Sequence, residues 1–204
     1  MLQTLSLISV LIIIIMLRRI VEILPSVFAC VLRWKECAKI DEMVKVSRDR
    51  DFTALALIIP MLLTIQKHNL LPYRHMAQMS PEACFCIITA VFIGYLALRL
   101  SVRLLFLPRR IRKRSRTRDN SDRTFFIILS VLVLSFSWLM GLFGTGPSDA
   151  RHTIIWLSAA IYLLYLMRKF QIFQSHHPIF TSFLYLCALE IIPTGTLVVS
   201  AIIF

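Results

Sequence analysis

Residues 83–144 read ACFCIITAVFIGYLAL (83–98), RLSVRLLFLPRRIRKRSRTRDNSDR (99–123) and TFFIILSVLVLSFSWLMGLFG (124–144). Two uncharged apolar stretches enclose a segment holding ten Lys and Arg. The same alternation continues outward in both directions. Nearly charge-free stretches also lie at 2–17, 52–66, 153–167 and 179–204. Lys and Arg in the segments around the six stretches number, in order, 0, 8, 2, 10, 1, 2 and 0. Alternate segments hold 20 of them and the others 3. A soluble protein has no reason to sort charge in this way. A membrane protein does, because basic loops stay on the cytoplasmic side.

The fold class expected is all-α: one polytopic helical bundle, residues 1–204, with about six transmembrane helices. Their approximate bounds are 2–17, 52–66, 83–106, 124–144, 153–167 and 179–204. Segments 18–51, 107–123 and 168–178 then lie in the cytoplasm and both termini lie outside. The chain is 58% hydrophobic, above the roughly 45–50% of soluble domains. Six spans would take about 120 residues, which leaves no room for a separate soluble domain.

Within 20–46, residues Ile20, Leu24, Val27, Phe28, Val31 and Trp34 fall roughly on one helical face. Charged residues follow from Arg33. This predicts a cytoplasmic interfacial amphipathic helix, kinked by Pro25, with Trp34 at headgroup depth. Residues 2–17 have no basic residue before them and no small-x-small site after them, so they read as a retained helix rather than a signal peptide.

The net charge of +12 raises nucleic acid as a partner. Location argues against it. Arg109, Arg110, Arg112, Lys113, Arg114, Arg116 and Arg118 directly follow an apolar span, where a basic run sets topology and meets anionic lipid headgroups. The same run and Trp34 offer docking surfaces to other membrane or envelope proteins. The five cysteines, Cys30, Cys37, Cys84, Cys86 and Cys187, have no zinc spacing and read as small apolar packing residues. His68, His75, His176 and His177 lack further ligands nearby. No metal and no cofactor is expected. Nucleophile elbows, zinc-protease motifs and phosphate-binding glycine loops are all missing from the sequence, so nothing in it points to an enzyme.

Glu190 is the sharpest candidate. It lies about eleven residues into the last apolar stretch, or roughly 16 Å by helical rise, which places it near mid-bilayer. A bare carboxylate there costs about 2.5–3.5 kcal/mol on insertion scales. Pro193 removes a backbone donor three residues on and loosens the helix around Glu190. Two meanings stay open: an ion or proton site beside a broken turn, or a polar contact that locks the last helix to a neighbour. Candidate partners are Thr89, Tyr95, Ser130, Ser135, Ser137, Ser158 and Tyr162, with Arg99 the nearest cation by depth.

The run Phe183-Leu184-Tyr185-Leu186-Cys187-Ala188-Leu189-Glu190-Ile191-Ile192-Pro193, with its lead-in Phe170–Ser175 and entry from Phe180, resembles the C-terminal signature of domain of unknown function 4271. That is a family of small multi-span inner-membrane proteins of Bacteroidota. The resemblance covers about 25 residues and marks Tyr185, Glu190 and Pro193. It implies a bacterial inner membrane and brings no activity with it. The Arg-rich segment 109–118 departs from the pattern. The leading expectation is a non-enzymatic accessory or scaffold subunit of an envelope complex, serving secretion, envelope assembly or membrane-protein insertion. The alternatives are a small ion- or proton-coupled transporter or channel using Glu190, and a lipid-active membrane enzyme.

Overall fold

The computed structural model describes residues 2–32, 44–70, 79–106, 116–144, 146–174 and 179–203. They form α1 (Leu2–Leu32), α2 (Val44–Ala56), α3 (Ile58–Lys67), α4 (Pro81–Phe106), α5 (Arg116–Leu142), α6 (Pro147–Gln174), α7 (Ile179–Leu186), a π-helical turn (Cys187–Ile191) and α8 (Ile192–Ile203). No strand occurs among the described residues. Among the described residues, four stretches are long and apolar enough to cross a membrane: Pro81–Val102, Asp122–Leu142, Ser148–Gln171 and Ile179–Val199.

The stretches 2–17 and 52–66 are not among those four. The second is broken at Leu57, between α2 and α3. Pro60 has no N–H to offer the carbonyl of Ala56, four residues back. Ahead of Phe52, α2 carries Arg48-Asp49-Arg50-Asp51, so no continuous apolar helix extends past it.

α5 and α6 are antiparallel neighbours, joined through a turn in which Gly144 has φ +62°. That left-handed conformation suits a residue with no Cβ. Trp138 and Trp156 flank the turn at 68% and 75% exposure, as aromatic residues do at a membrane–water boundary. α5 and α6 pack together, and the π turn packs against α4.

Helix α1 corrects the expected break after residue 17. It runs unbroken from Leu2 through Pro25 to Leu32, so Ile20–Leu32 continues the first helix instead of lying apart on the membrane surface. Met16, Ile20, Ile23, Val27 and Cys30 are buried, at the alternating three- and four-residue spacing of one helix face. Met16 and Ile20 pack with Ala54, Leu57 and Ile127. Ile23 and Val27 pack with Phe125, Ile128 and Tyr165. Of the expected face, Ile20 and Val27 are buried under protein, whereas Phe28 is 44% exposed and Ile23 and Cys30 take part instead. Trp34 and the rest of 33–43 lie outside the described residues. Val27 is fully buried, so Val27→Phe is expected to cost about 1–3 kcal/mol by overpacking. Chemical denaturation in micelles checks this, and an unchanged midpoint would instead favour a free surface helix.

Two polar segments taken as connections are helical. α5 begins at Arg116, inside the expected loop 107–123, and α6 continues to Gln174, inside 168–178. Asp122 sits nearly two turns into this helix. Arg123 forms an ion pair with Asp51, which ties this extension to α2. The cysteine expectation also changes: Cys30 is disulfide-bonded, whereas Cys84, Cys86 and Cys187 are thiols outside any disulfide.

Near the opposite end, His68 Nε2 lies 2.7 Å from Ser137 Oγ. Burial first, and then the neighbouring charge of Lys67, hold the imidazole below its ordinary pKa near 6.5. The folded state therefore binds this proton less well than the unfolded state. The stability contributed is present above pH 6.5 and is lost as pH falls through the depressed folded value. Stability measured against pH is expected to decline in that window, and His68→Gln should flatten the decline.

Candidate functional site

The polar centre of the bundle is assembled from four elements. α6 supplies Tyr162, Tyr165 and Lys169, on one face by their spacing of three and four. α5 supplies Asp122, α4 supplies Arg99, and the π turn supplies Glu190.

The turn has a local cause. Pro193 cannot donate to the carbonyl of Leu189. The chain widens by one residue, and the N–H of Ile192 donates to Cys187 O, the five-residue spacing of a π turn. Side chains occupy a further carbonyl. Thr194 Oγ1 donates to Glu190 O at 2.6 Å, and Tyr162 OH lies 3.3 Å from the same oxygen. Such replacement is what makes a proline-broken helix tolerable away from water.

Glu190 is 1% exposed and both its carboxylate oxygens are occupied. Oε2 accepts from Arg99 Nη2 at 2.6 Å, and Oε1 accepts from Lys169 Nζ. Lys169 is also 1% exposed. Its ammonium has three N–H donors and three acceptors: Glu190 Oε1, Asp122 Oδ1 at 2.7 Å and Tyr165 OH at 2.6 Å. Tyr165 OH donates to Asp122 Oδ1 at 2.6 Å and accepts from Arg99 Nη2 at 2.5 Å. Arg99 Nη2 lies 3.3 Å from Asp122 Oδ1. Among the described residues, two cations and two carboxylates thus close around one phenol. Only Arg99 Nε is left buried and unpartnered in this network.

The charged partners come from near the ends of membrane-length stretches: Asp122 opens one, Lys169 lies two residues from the end of another, and Arg99 lies three from the end of a third. Glu190 itself lies near the middle of the stretch Ile179–Val199.

Among the other residues singled out by sequence, Arg99 and Glu190 are in contact. Tyr185 packs with Leu189 and Val102 in an apolar cluster. Ser137 pairs with His68 instead. Ser130 is buried with its hydroxyl unpartnered. Thr89 bonds back to Phe85 O within its own helix. Arg109, Arg110, Arg112, Lys113 and Arg114 lie outside the described residues, as do His75, His176 and His177. Arg116 and Arg118 fall on the first turns of α5. Lys169, Tyr165 and Asp122 were not singled out as partners of Glu190. Both Lys169 and Asp122 fall in segments expected to be cytoplasmic connections, 168–178 and 107–123. The available signal was the spacing of four between Tyr165 and Lys169 on the face that also carries Tyr162. No group of three or more His, Cys, Asp or Glu able to hold a metal occurs among the described residues.

No family model, no curated protein and no solved structure matches the chain. The resemblance of Phe180–Pro193 to domain of unknown function 4271 therefore stands on those residues alone.

Proposed function

We propose that this chain is a non-enzymatic integral membrane subunit, an accessory or scaffold part of a cell-envelope complex in a bacterial inner membrane. In this reading α1 and the α2–α3 pair complete six crossings, the basic segments face the cytoplasm and meet anionic headgroups, and both termini face outward. The observation that carries the reading is the closure of Glu190. Both of its oxygens are held by cations, its charge is balanced, and it is 1% exposed. A group locked in this way fixes α4, α5, α6 and the π turn relative to one another. A transported ion would need the carboxylate open to it. Large apolar side chains stay exposed along α1, including Leu7 at 71% and Ile14 at 63%, and give lipid or a partner helix a surface to cover.

Mild extraction from native membranes, then affinity purification and mass spectrometry, tests the proposal. Stoichiometric co-purification of the same membrane proteins is the expected result. A chain that runs alone at monomer or dimer size would overturn it.

One observation favours a proton-coupled alternative. Asp122 and Arg99 are 10% and 17% exposed, so a hydrogen-bonded chain runs from the partly open rim through Tyr165 and Lys169 to Glu190. Reconstituted liposomes with a pH-sensitive dye decide this: proton flux abolished by Glu190→Gln would support the relay.

A further inference from the structure

A second charged feature lies on the outside of the bundle, between α1 and α2. Arg18, Arg19, Glu22, Arg48 and Asp49 line a pocket of about 360 Å³. It holds three guanidiniums against two carboxylates. Glu22 is bonded by Arg18 at 3.1 Å, and Asp49 lies 3.9 Å from Arg19. Arg19 is also held over the ring of Phe52, 5.3 Å from its centroid, which fixes the guanidinium at the pocket wall. Arg18, although bonded to Glu22, is 89% exposed, and Arg48 is exposed as well. Two solvent-facing guanidiniums therefore flank the one held over Phe52. This is donor chemistry suited to phosphate oxygens, which guanidinium forks bind in pairs.

The surface beside the pocket changes character on both helices at the same level. Going toward the N-terminus of α1, the residues one turn from Arg18 and Arg19 are Ile14 and Ile15, 63% and 60% exposed. Going the other way along α2, Phe52 and Leu55 follow Arg48 and Asp49, at 49% and 66% exposure. The two helices pack against each other and run oppositely, since Arg19 meets Asp49 while Met16 and Ile20 meet Ala54 and Leu57. The apolar surfaces therefore lie on the same side of the pocket. A cationic cup below an apolar track has the shape and chemistry of one amphiphile: a phosphate with acyl chains attached.

We propose that this pocket is a phospholipid site. The headgroup phosphate is held by Arg18, Arg19 and Arg48, and the acyl chains lie along Ile14, Ile15, Phe52 and Leu55. The site is separate from the Glu190 network, and it does not depend on the proposed subunit role.

Native mass spectrometry of the full chain in detergent, titrated with phosphatidylglycerol, tests it. The wild type is expected to keep one lipid per chain at low micromolar concentration. Arg18→Gln/Arg48→Gln is expected to weaken this binding about tenfold or more, for the loss of two charge-assisted contacts. Both side chains are exposed, so the variant should fold, and an unchanged thermal midpoint without lipid confirms that. Leu55→Asp, which charges the track but leaves the cup intact, should weaken binding too. Equal retention by wild type and the double variant would overturn the site. Displacement of the lipid by equimolar glycerol phosphate would overturn the lipid assignment, because a headgroup alone would then suffice. Equal binding of phosphatidylcholine by wild type and double variant would show nonspecific detergent-like coating and would also overturn it.

Discussion

Lys169→Met is expected to lower the stability of the bundle by about 3–5 kcal/mol, the range for removing one partner of a buried ion pair. Lys169 spends all three of its donors on Glu190, Asp122 and Tyr165. Methionine fills similar volume but leaves two carboxylates around the single cation Arg99. Glu190→Gln should be costly for the mirror reason, since Lys169 and Arg99 then face one anion between them. Glutamine replacement of Glu190 would pass unnoticed if the residue served only as a hydrogen-bond acceptor, and the geometry argues against that. The informative variant is the double one. Lys169→Met/Glu190→Gln restores neutrality around the Arg99–Asp122 pair and should recover more than half of either single loss, a coupling that contacting charges show and distant sites do not. Unfolding in mixed micelles followed by tryptophan fluorescence measures all three. Additive losses would remove the network from any account of this fold.

Deleting Ala188 is expected to have the other large effect, with little or no monodisperse protein recovered on size-exclusion chromatography. The five-residue turn Cys187–Ile191 contains one residue more than an α-helical path needs. Removing it rotates everything before the turn by about 100° relative to Glu190. Ser182 and Leu186 are buried on α7, and they cannot keep their places while Glu190 keeps Arg99 and Lys169. Inserting one alanine at the start of α7, after Phe180, would leave the rotation of Ser182 and Leu186 in place, so it should not rescue. Reinsertion at 188 should. A deletion variant with wild-type elution and stability would show that the turn's width has no bearing on the site.

Much of this centre was legible at the level of single residues. Glu190 stands alone among apolar neighbours, and Pro193 three residues later forecasts a disturbed helix at that point. Local physics carries both statements, because the cost of a charge away from water and the missing N–H of proline do not depend on the rest of the chain. The face formed by Ile20 and Val27 was legible for the same reason, as periodicity is a local property. What covers that face was not. Lipid surface and a packed neighbour select for the same apolar spacing, and α5 and α6 are about a hundred residues away in sequence. Lys169 was not legible as a partner on similar grounds. Beside Arg168 at the end of an apolar run, it has the same local signature as a basic residue that only marks topology.

The sequence by itself determined that the chain is helical and membrane-embedded in character. Hydropathy and the alternation of Lys and Arg are properties of segments, and segments answer to the bilayer one at a time. The tertiary structure decided which charges meet. It took Arg99, Asp122, Lys169 and Glu190 from four separate elements and joined them around Tyr165. A charge in a low-dielectric interior must find its opposite within a few ångströms, and which opposite it finds depends on how helices distant in sequence pack together.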